Sequence, residues 1–170
     1  MIPFPETKEY NPYFDQYIQY IKGKDVLVAL SEGVAEVNEL VASLTEDQLK
    51  SAYAEGKWTI KEVLQHIMDT ERIFCNRALR FARNDKTDLP GFEQDDYVPF
   101  SGANERNSME LLREYNAIRQ ATITLFQGFS DEMLARVGVA SGNEMSVRAL
   151  AYIAAGHEKH HVKVINERYL

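Results

Sequence analysis

The stretch WTIKEVLQHI at residues 58–67 begins the most clearly marked helix of this 170-residue chain. Thr59 and Glu62 have the spacing of a capping box, in which each side chain accepts a hydrogen bond from the backbone N–H of the other residue. Apolar residues then recur at steps of three and four, the period of a helix with one buried face. The pattern predicts a helix from Thr59 to about Arg83 that carries His66 near its start.

Similar signals predict three further long helices. Asp25 can cap the first of them, and Thr45 opens a short helix that ends near Tyr53. The four long helices and the absence of strand alternation predict an all-α fold, an antiparallel four-helix bundle in a single domain of residues 1–170. The predicted long helices cover about residues 25–44, 59–83, 108–129 and 146–170.

An extra N-terminal helix is predicted from aromatic residues that recur at helical steps before Gly23. This stripe could pack into its own bundle or form a contact face, because large apolar patches on a surface usually mark contacts. A bundle of four helices needs no fifth element, so we expect a symmetric homodimer. The stripe consists of Tyr10, Tyr13, Phe14, Tyr17 and Tyr20.

A predicted loop of unusual length covers residues 84–107 and contains four Pro and Gly residues. Long loops in compact domains are usually functional or mobile. Asp95 and Asp96 could therefore face a site that the loop closes over, although solvated loop acids are common. Residues 141–143 form a second predicted loop.

Composition limits the possible partners and locations. The net charge of -7 and the lack of a basic stripe argue against nucleic acid and anionic membranes as partners. No apolar run approaches the ~20 residues that span a bilayer, and the start of the chain lacks the features of a signal peptide. Cys75 is the only cysteine, which suits a reducing compartment, so we expect a cytoplasmic protein. We expect its partner to be a small-molecule substrate.

The histidines carry the chemical signal. His157 and His161 are four residues apart, which places both imidazoles on one helix face. His66 could supply a third ligand from a facing helix and leave a coordination position open, as in a reactive metal site. His66 lies seven residues past its cap Thr59, and His157 eleven past Ser146. The two depths are similar if both helices start at the same end of the bundle.

Other interpretations of these histidines remain open. A pair of histidines at this spacing also occurs in helices that bind no metal. His160 lies about 60° from His157 around the helix, so His160 could replace His161 as a ligand. Neutral imidazoles suit Zn, Ni, Fe or Cu.

Two known metal motifs match only in part. Residues 157–161 read HEKHH and match the zinc protease signature, but the chain has Val164 and Glu167 where one form of that motif needs glycine and histidine. Di-iron bundles need two Glu-x-x-His motifs, and the chain has one.

Several other residues are candidates for roles near the histidines. Asp69 is a candidate hydrogen-bond partner for His66, because the free ring nitrogen of a ligating histidine usually bonds a carboxylate, a carbonyl or water. Glu158 could act as a base or face solvent, and Glu71 could act near a metal or be solvated. Trp58 could line a pocket or pack at the helix start.

A second group of residues lies farther along the same helix. Arg77 and Arg80 share a helix face and could hold an anionic substrate, although exposed helix arginines are common. Cys75 is expected to be a small buried hydrophobic residue rather than a nucleophile. The sequence assigns no catalytic residue.

Two stretches resemble the DinB/YfiT-like metalloenzymes: GKWTIKEVLQHI at residues 56–67 and GHEKHHVKVI at residues 156–165. The resemblance implies a four-helix bundle with an unusual helix order, a divalent transition metal (Zn, Ni or Fe) and frequent homodimers. It implies that the metal ligands are His66, His157 and His161.

The resemblance also implies a class of function. Relatives include S-transferases that use low-molecular-weight thiols, so our hypothesis is a metal-dependent transferase or hydrolase. The alternative is a non-catalytic, stress-associated dimer that binds metal. The family often has Arg-Gly-Gln after the last ligand, whereas this chain has Val-Lys-Val at residues 162–164. That difference bears on the substrate more than on metal binding.

Overall fold

A computed structural model describes residues 1–170 and confirms the four-helix bundle. Each long helix begins at a capping side chain. Thr59 and Asn107 form complete capping boxes, while Asp25 and Ser146 accept backbone N–H groups of the first turn. The predicted ends are correct to within two residues. The helices are α1 (Val26–Ala42), α2 (Ile60–Ala82), α3 (Ser108–Gln127) and α4 (Val147–Arg168).

The order of the helices around the bundle differs from their order in the chain. α1 and α2 each contact α3 and α4, so α1 and α2 lie on one diagonal and α3 and α4 on the other. α2 and α4 are antiparallel, because the Tyr169 hydroxyl after the end of α4 donates to the Trp58 carbonyl before the start of α2 at 2.8 Å. The unusual order implied by the family resemblance is therefore present.

α2 and α3 are parallel neighbours, and this explains the long loop between them. Near the start of both helices, Lys61 Nζ donates to the Arg106 carbonyl at 2.5 Å. Farther along, Cys75 Sγ lies 3.2 Å from Thr122 Oγ1. The chain must therefore return along the bundle before α3 can begin. The returning segment contains a short helix at Gln94–Tyr97.

A two-stranded hairpin corrects the prediction that the fold contains no strands. β1 (Val137–Ala140) pairs antiparallel with β2 (Asn143–Ser146). Ser141 and Gly142 join them with φ values of 52° and 72°, as a type I′ turn requires. Strands of four residues are too short for an alternating pattern to be recognised, so only the turn was predicted, as a loop.

The predicted N-terminal helix is present in an irregular form. Residues 7–21 contain an α-helical turn at Asp15–Ile18 and 3-10 helical turns at Thr7–Glu9, Pro12–Phe14 and Gln19–Ile21. Tyr17 is buried against α4, and a Cβ on Gly156 would lie 2.0 Å from the Tyr17 carbonyl oxygen. Most of the stripe therefore covers its own bundle. The homodimer stays a prediction that this stripe no longer supports.

None of the helices combines the length and the apolar character that crossing a membrane requires.

A fully buried guanidinium connects all four helices. Arg119 of α3 donates from Nε and Nη2 to both oxygens of Glu71 on α2, at 3.0 and 2.8 Å. Its Nη1 donates to Glu158 on α4 at 2.9 Å and to the Leu30 carbonyl on α1 at 3.0 Å, and Nη2 also donates to Glu158. The Tyr115 hydroxyl donates to Glu158 at 2.7 Å. Every N–H of the guanidinium therefore has an acceptor.

This charge cluster leaves no room beside it. Burial alone would lower the pKa of Arg119, but the charges of Glu158 and Glu71 raise it well above the usual value. Losing one member would leave a buried charge without its partner, which typically costs about 3–5 kcal/mol. A Cβ on Gly33 would lie 2.0 Å from Glu158 Oε1 and 2.9 Å from Arg119 Nη1. Glycine at this position thus admits the cluster.

We expect Gly33→Ala to lower the free energy of unfolding by about 3 kcal/mol, the upper range for overpacking a core. Gly128→Ala is the matched control, because its new methyl group would meet only ordinary contacts of 3.5 Å or more. Urea denaturation of both variants measures the difference. Equal stability of the two variants would contradict the packing described here.

Candidate metal centre

Three histidine side chains from α2 and α4 meet inside the bundle. His157 Nε2 lies 3.0 Å from His66 Nε2 and 3.1 Å from His161 Nε2. One ring nitrogen from each of the three lies within 4.8 Å of the others. The structure therefore brings together the three residues that are predicted ligands from the sequence.

His66 and His157 do not meet through similar depths in two helices that start together. α4 ends where α2 begins, so the two helices do not start at the same end of the bundle. His66 lies in the second turn of α2, while His157 and His161 lie in the middle and second half of α4. They meet because α4 runs back past α2.

His160 is the histidine outside the cluster. It is half-buried, and its ring packs 5.3 Å from the Tyr17 ring and 5.1 Å from the His161 ring, measured between centroids. The histidine cluster therefore consists of His66, His157 and His161, and His160 lies next to it.

Burial keeps the three imidazoles neutral. It lowers the pKa of His66 to about 4, and burial together with the charge of His66 lowers the pKa of His161 to about 3. The pKa of His157 is lowered well below its usual value for the same reasons. Neutral imidazole nitrogens are the form that binds divalent transition metals. The donor set and its convergence therefore fit such an ion.

Thr70, rather than Asp69, is the hydrogen-bond partner of His66. The Thr70 hydroxyl lies 3.3 Å from His66 Nδ1, because a residue four positions on lies on the same helix face. Asp69 Oδ1 instead accepts from Gln65 at 2.9 Å and lies 3.7 Å from the Arg72 guanidinium. The prediction for Asp69 was wrong.

Aromatic rings wall the cluster. The Trp58 ring lies 4.9 Å from the His66 ring, and the Tyr17 and Phe74 rings lie 5.3 and 6.0 Å from the His157 ring. These apolar faces exclude water from most directions, which accounts for the low pKa values of the histidines.

A cavity of about 860 Å³ opens beside His161. Trp58 lines it, so the pocket interpretation of this residue is correct along with its packing on His66. The long loop forms part of the wall through Asp95, Val98 and Pro99. The long loop therefore lines the cavity beside the candidate site. Lys57, Glu62, His160 and Arg168 also line the cavity.

The acidic residues close to the histidines in the sequence bind Arg119 and not the histidine cluster. Glu158 and Glu71 are both buried and bind Arg119, so the predictions that they face solvent or serve the metal were wrong. The cluster around Arg119 was missed from the sequence. The one feature of the sequence that indicates this cluster is the position of Arg119 on the apolar face of α3, four residues after the buried Tyr115.

The sequence profile of the DinB superfamily matches residues 29–165, which include all three histidines. The chain belongs to the DinB superfamily. Two proteins that each carry the name "putative metal-dependent hydrolase" are similar to it. The one from Oceanobacillus iheyensis is 26% identical over 74% of this chain and 73% of its own length. The one from Geobacillus thermodenitrificans is 23% identical over 84% of this chain and 81% of its own length.

Two solved structures from Bacillus subtilis share the fold. YfiT, described as a probable metal-dependent hydrolase with an unusual four-helix bundle topology, superposes with a TM-score of 0.73 at 17% identity, over 96% of this chain and 89% of its own. The DinB-like protein YjoA gives a TM-score of 0.58 at 18% identity, over 84% of this chain and 92% of its own. The unusual topology of YfiT agrees with the diagonal helix order seen here.

The lowered histidine pKa values predict how stability depends on pH in chelator-treated protein. Between about pH 6.5 and 4, an unfolded His66 binds a proton that the folded one does not, so stability falls as pH falls. The free energy of unfolding of His66→Gln should therefore fall less steeply, by up to about 1.4 kcal/mol per pH unit. Urea denaturation across this range measures both slopes. Identical slopes would show that His66 protonates freely in the folded protein.

Proposed function

We propose that this chain is a metal-dependent enzyme, with hydrolysis of a small molecule as the first candidate reaction. The observation that carries the proposal is the convergence of three neutral histidine nitrogens beside a cavity of about 860 Å³. That volume is within the range of small-molecule sites. Two relatives, at 26% and 23% identity, carry the name "putative metal-dependent hydrolase".

In this proposal the three histidines hold a divalent transition metal such as Zn, Ni or Fe. Such an ion supplies a Lewis acid and lowers the pKa of a water or thiol that it binds. Thr70 orients His66 through Nδ1, and the surrounding rings keep the other imidazoles in place. Three protein ligands leave room for a further group from the cavity.

Asp95 is the best placed acid to move a proton in hydrolysis. Of the two carboxylates that line the cavity, Glu62 accepts hydrogen bonds from the Thr59 N–H at 2.7 Å and from Asn104 at 3.1 Å. Asp95 lines the same cavity from the long loop and makes no ion pair with another residue. A general base must be free to accept a proton, and Asp95 meets that condition.

A thiol-dependent S-transferase is the second candidate, and one observation favours it. The acid that follows His157 in the chain is bound by Arg119, so no carboxylate lies within the histidine cluster to activate water. A metal ion held by the three histidines would lower the pKa of a coordinated thiol, which would release its proton to solvent and need no such base. A low-molecular-weight thiol would then attack an electrophile held in the same cavity.

The non-catalytic alternative receives less support. A metal sealed in the core by large side chains would favour a purely structural or stress-associated role, whereas a cavity borders His161 here. The homodimer remains a proposal that rests on the family resemblance alone.

Asp95→Asn separates the two candidate reactions. In metal-loaded protein, we expect this variant to lower hydrolysis of p-nitrophenyl esters by about 100-fold, the usual contribution of a general base. Transfer of glutathione, bacillithiol, mycothiol or coenzyme A to 1-chloro-2,4-dinitrobenzene should be unchanged. Asp96→Asn is the matched control, because Asp96 is also exposed but does not line the cavity.

The possible results lead to different conclusions. Ester hydrolysis that Asp96→Asn lowers as much as Asp95→Asn would remove Asp95 as the base. Thiol transfer without ester hydrolysis would identify the transferase. Loss of neither activity in His66→Ala would contradict a metal-dependent reaction at this site.

A further inference from the structure

A second cavity, of about 350 Å³, is lined by three arginines and by no carboxylate. Arg72, Arg77 and Arg80 reach it from the second half of α2, and Phe92 and Tyr97 of the long loop close it. The whole chain carries a net charge of -7. Every charged side chain that lines this cavity is therefore positive, although the chain as a whole is acidic.

Arg77 is the buried member of this group. It is 4% exposed, and its Nη2 donates to Ser141 Oγ at 3.0 Å and to the Pro90 carbonyl at 3.3 Å. Both acceptors are neutral, and Arg77 makes no ion pair. The other two arginines are paired with acids. Arg80 binds the carboxylate of Asp85 at 2.6 Å, and Arg72 binds the carboxylate of Glu114 at 2.5 Å.

The comparison with Arg119 shows what Arg77 lacks. Both guanidinium groups are buried, but Arg119 has two carboxylates and an acceptor for every N–H. Burial lowers the pKa of Arg77, with no acid to oppose it. A buried charge is costly unless it is paired with an opposite charge, and the chain offers Arg77 none.

Ser141 indicates that the position of this guanidinium matters. Its φ of 52° is left-handed, a conformation that costs most residues about 1 kcal/mol or more and that Gly, Asn and Asp adopt more readily. The serine hydroxyl accepts the Arg77 hydrogen bond. The hairpin turn requires this conformation, so the hairpin places the hydroxyl that positions Arg77.

We propose that this cavity binds the oxyanion group of a small molecule, a carboxylate or a phosphate. Arg77 supplies the buried donor through the N–H groups that Ser141 and Pro90 leave free, and Arg80 adds charge at the rim. Phe92 and Tyr97, whose ring centroids lie 5.4 Å apart, contact the apolar part of the ligand. The volume is at the lower end of the range for small-molecule sites.

The site is separate from the histidine cluster, but the same long loop lines both cavities. Phe92 and Tyr97 line the arginine cavity, while Asp95, Val98 and Pro99 line the histidine cavity. Anion binding thus needs no metal, so its test can fail or succeed independently of the proposed enzymatic reaction.

Isothermal titration calorimetry with sodium phosphate and with sodium benzoate, at ionic strength fixed with sodium chloride, tests the proposal. We expect one anion per chain for at least one of these probes. Arg77→Gln should weaken binding about tenfold or more, the loss of one charge-assisted contact. Arg80→Gln should weaken it by a smaller factor. Preference for phosphate or for benzoate identifies the source of the oxyanion.

Two controls locate the binding. Arg113→Gln removes the same charge from an exposed position on α3 outside the cavity, and His66→Ala removes a member of the histidine cluster. Both should bind the anion as the unchanged protein does. If Arg77→Gln does not fold, Arg80→Gln carries the test. Two results would overturn the proposal. One is that neither probe binds at a concentration of about 10 mM, ten times a Kd of about 1 mM. The other is that Arg113→Gln weakens binding as much as the cavity variants do.

Discussion

The ion pairs of Arg119 with Glu71 and Glu158 determine how the helices of this bundle face one another. The two carboxylates come from α2 and α4, and the guanidinium that joins them also donates to the backbone of α1. Such a cluster tolerates little rotation of any helix, because each buried charge depends on its partners. Glycine at position 33 provides the space that the cluster needs.

The histidine cluster follows from that constraint. Glu158 directly follows His157, and Glu71 lies five residues after His66. On a helix these offsets turn the carboxylate and the imidazole toward different sides. When both carboxylates point at Arg119, the imidazoles of α2 and α4 are turned toward each other, and their Nε2 atoms lie 3.0 Å apart. The buried charges thus hold the histidines in a position to share an ion.

The connections between helices place the remaining parts of the site. Because α2 and α3 are parallel neighbours, the chain between them has to travel back along the bundle. That returning segment lines both the histidine cavity and the arginine cavity. A loop required by the topology therefore forms walls for two cavities, which is consistent with the tendency of long loops to carry function.

Local features were predictable from the sequence, and features that depend on the tertiary structure were not. Capping residues such as Thr59 and Ser146 act within one turn, so the helix starts were correct. The pair of His157 and His161 was found because spacing on a helix is a local property, whereas His66 was assigned as the third ligand through the family resemblance. The environment of Glu158 depends on Arg119, 39 positions earlier in the chain, and no local pattern reports that contact. Asp69 was chosen by residue type, whereas the direction of the helix face selects Thr70.

The most direct test of the central claim is a titration of chelator-treated, tag-free protein with Zn²⁺ and with Ni²⁺, followed by calorimetry. The account predicts about one tightly bound ion per chain in the unchanged protein and in His160→Ala, and loss of that binding in His66→Ala, His157→Ala and His161→Ala. Equal binding in all of these variants would show that the three histidines are not metal ligands.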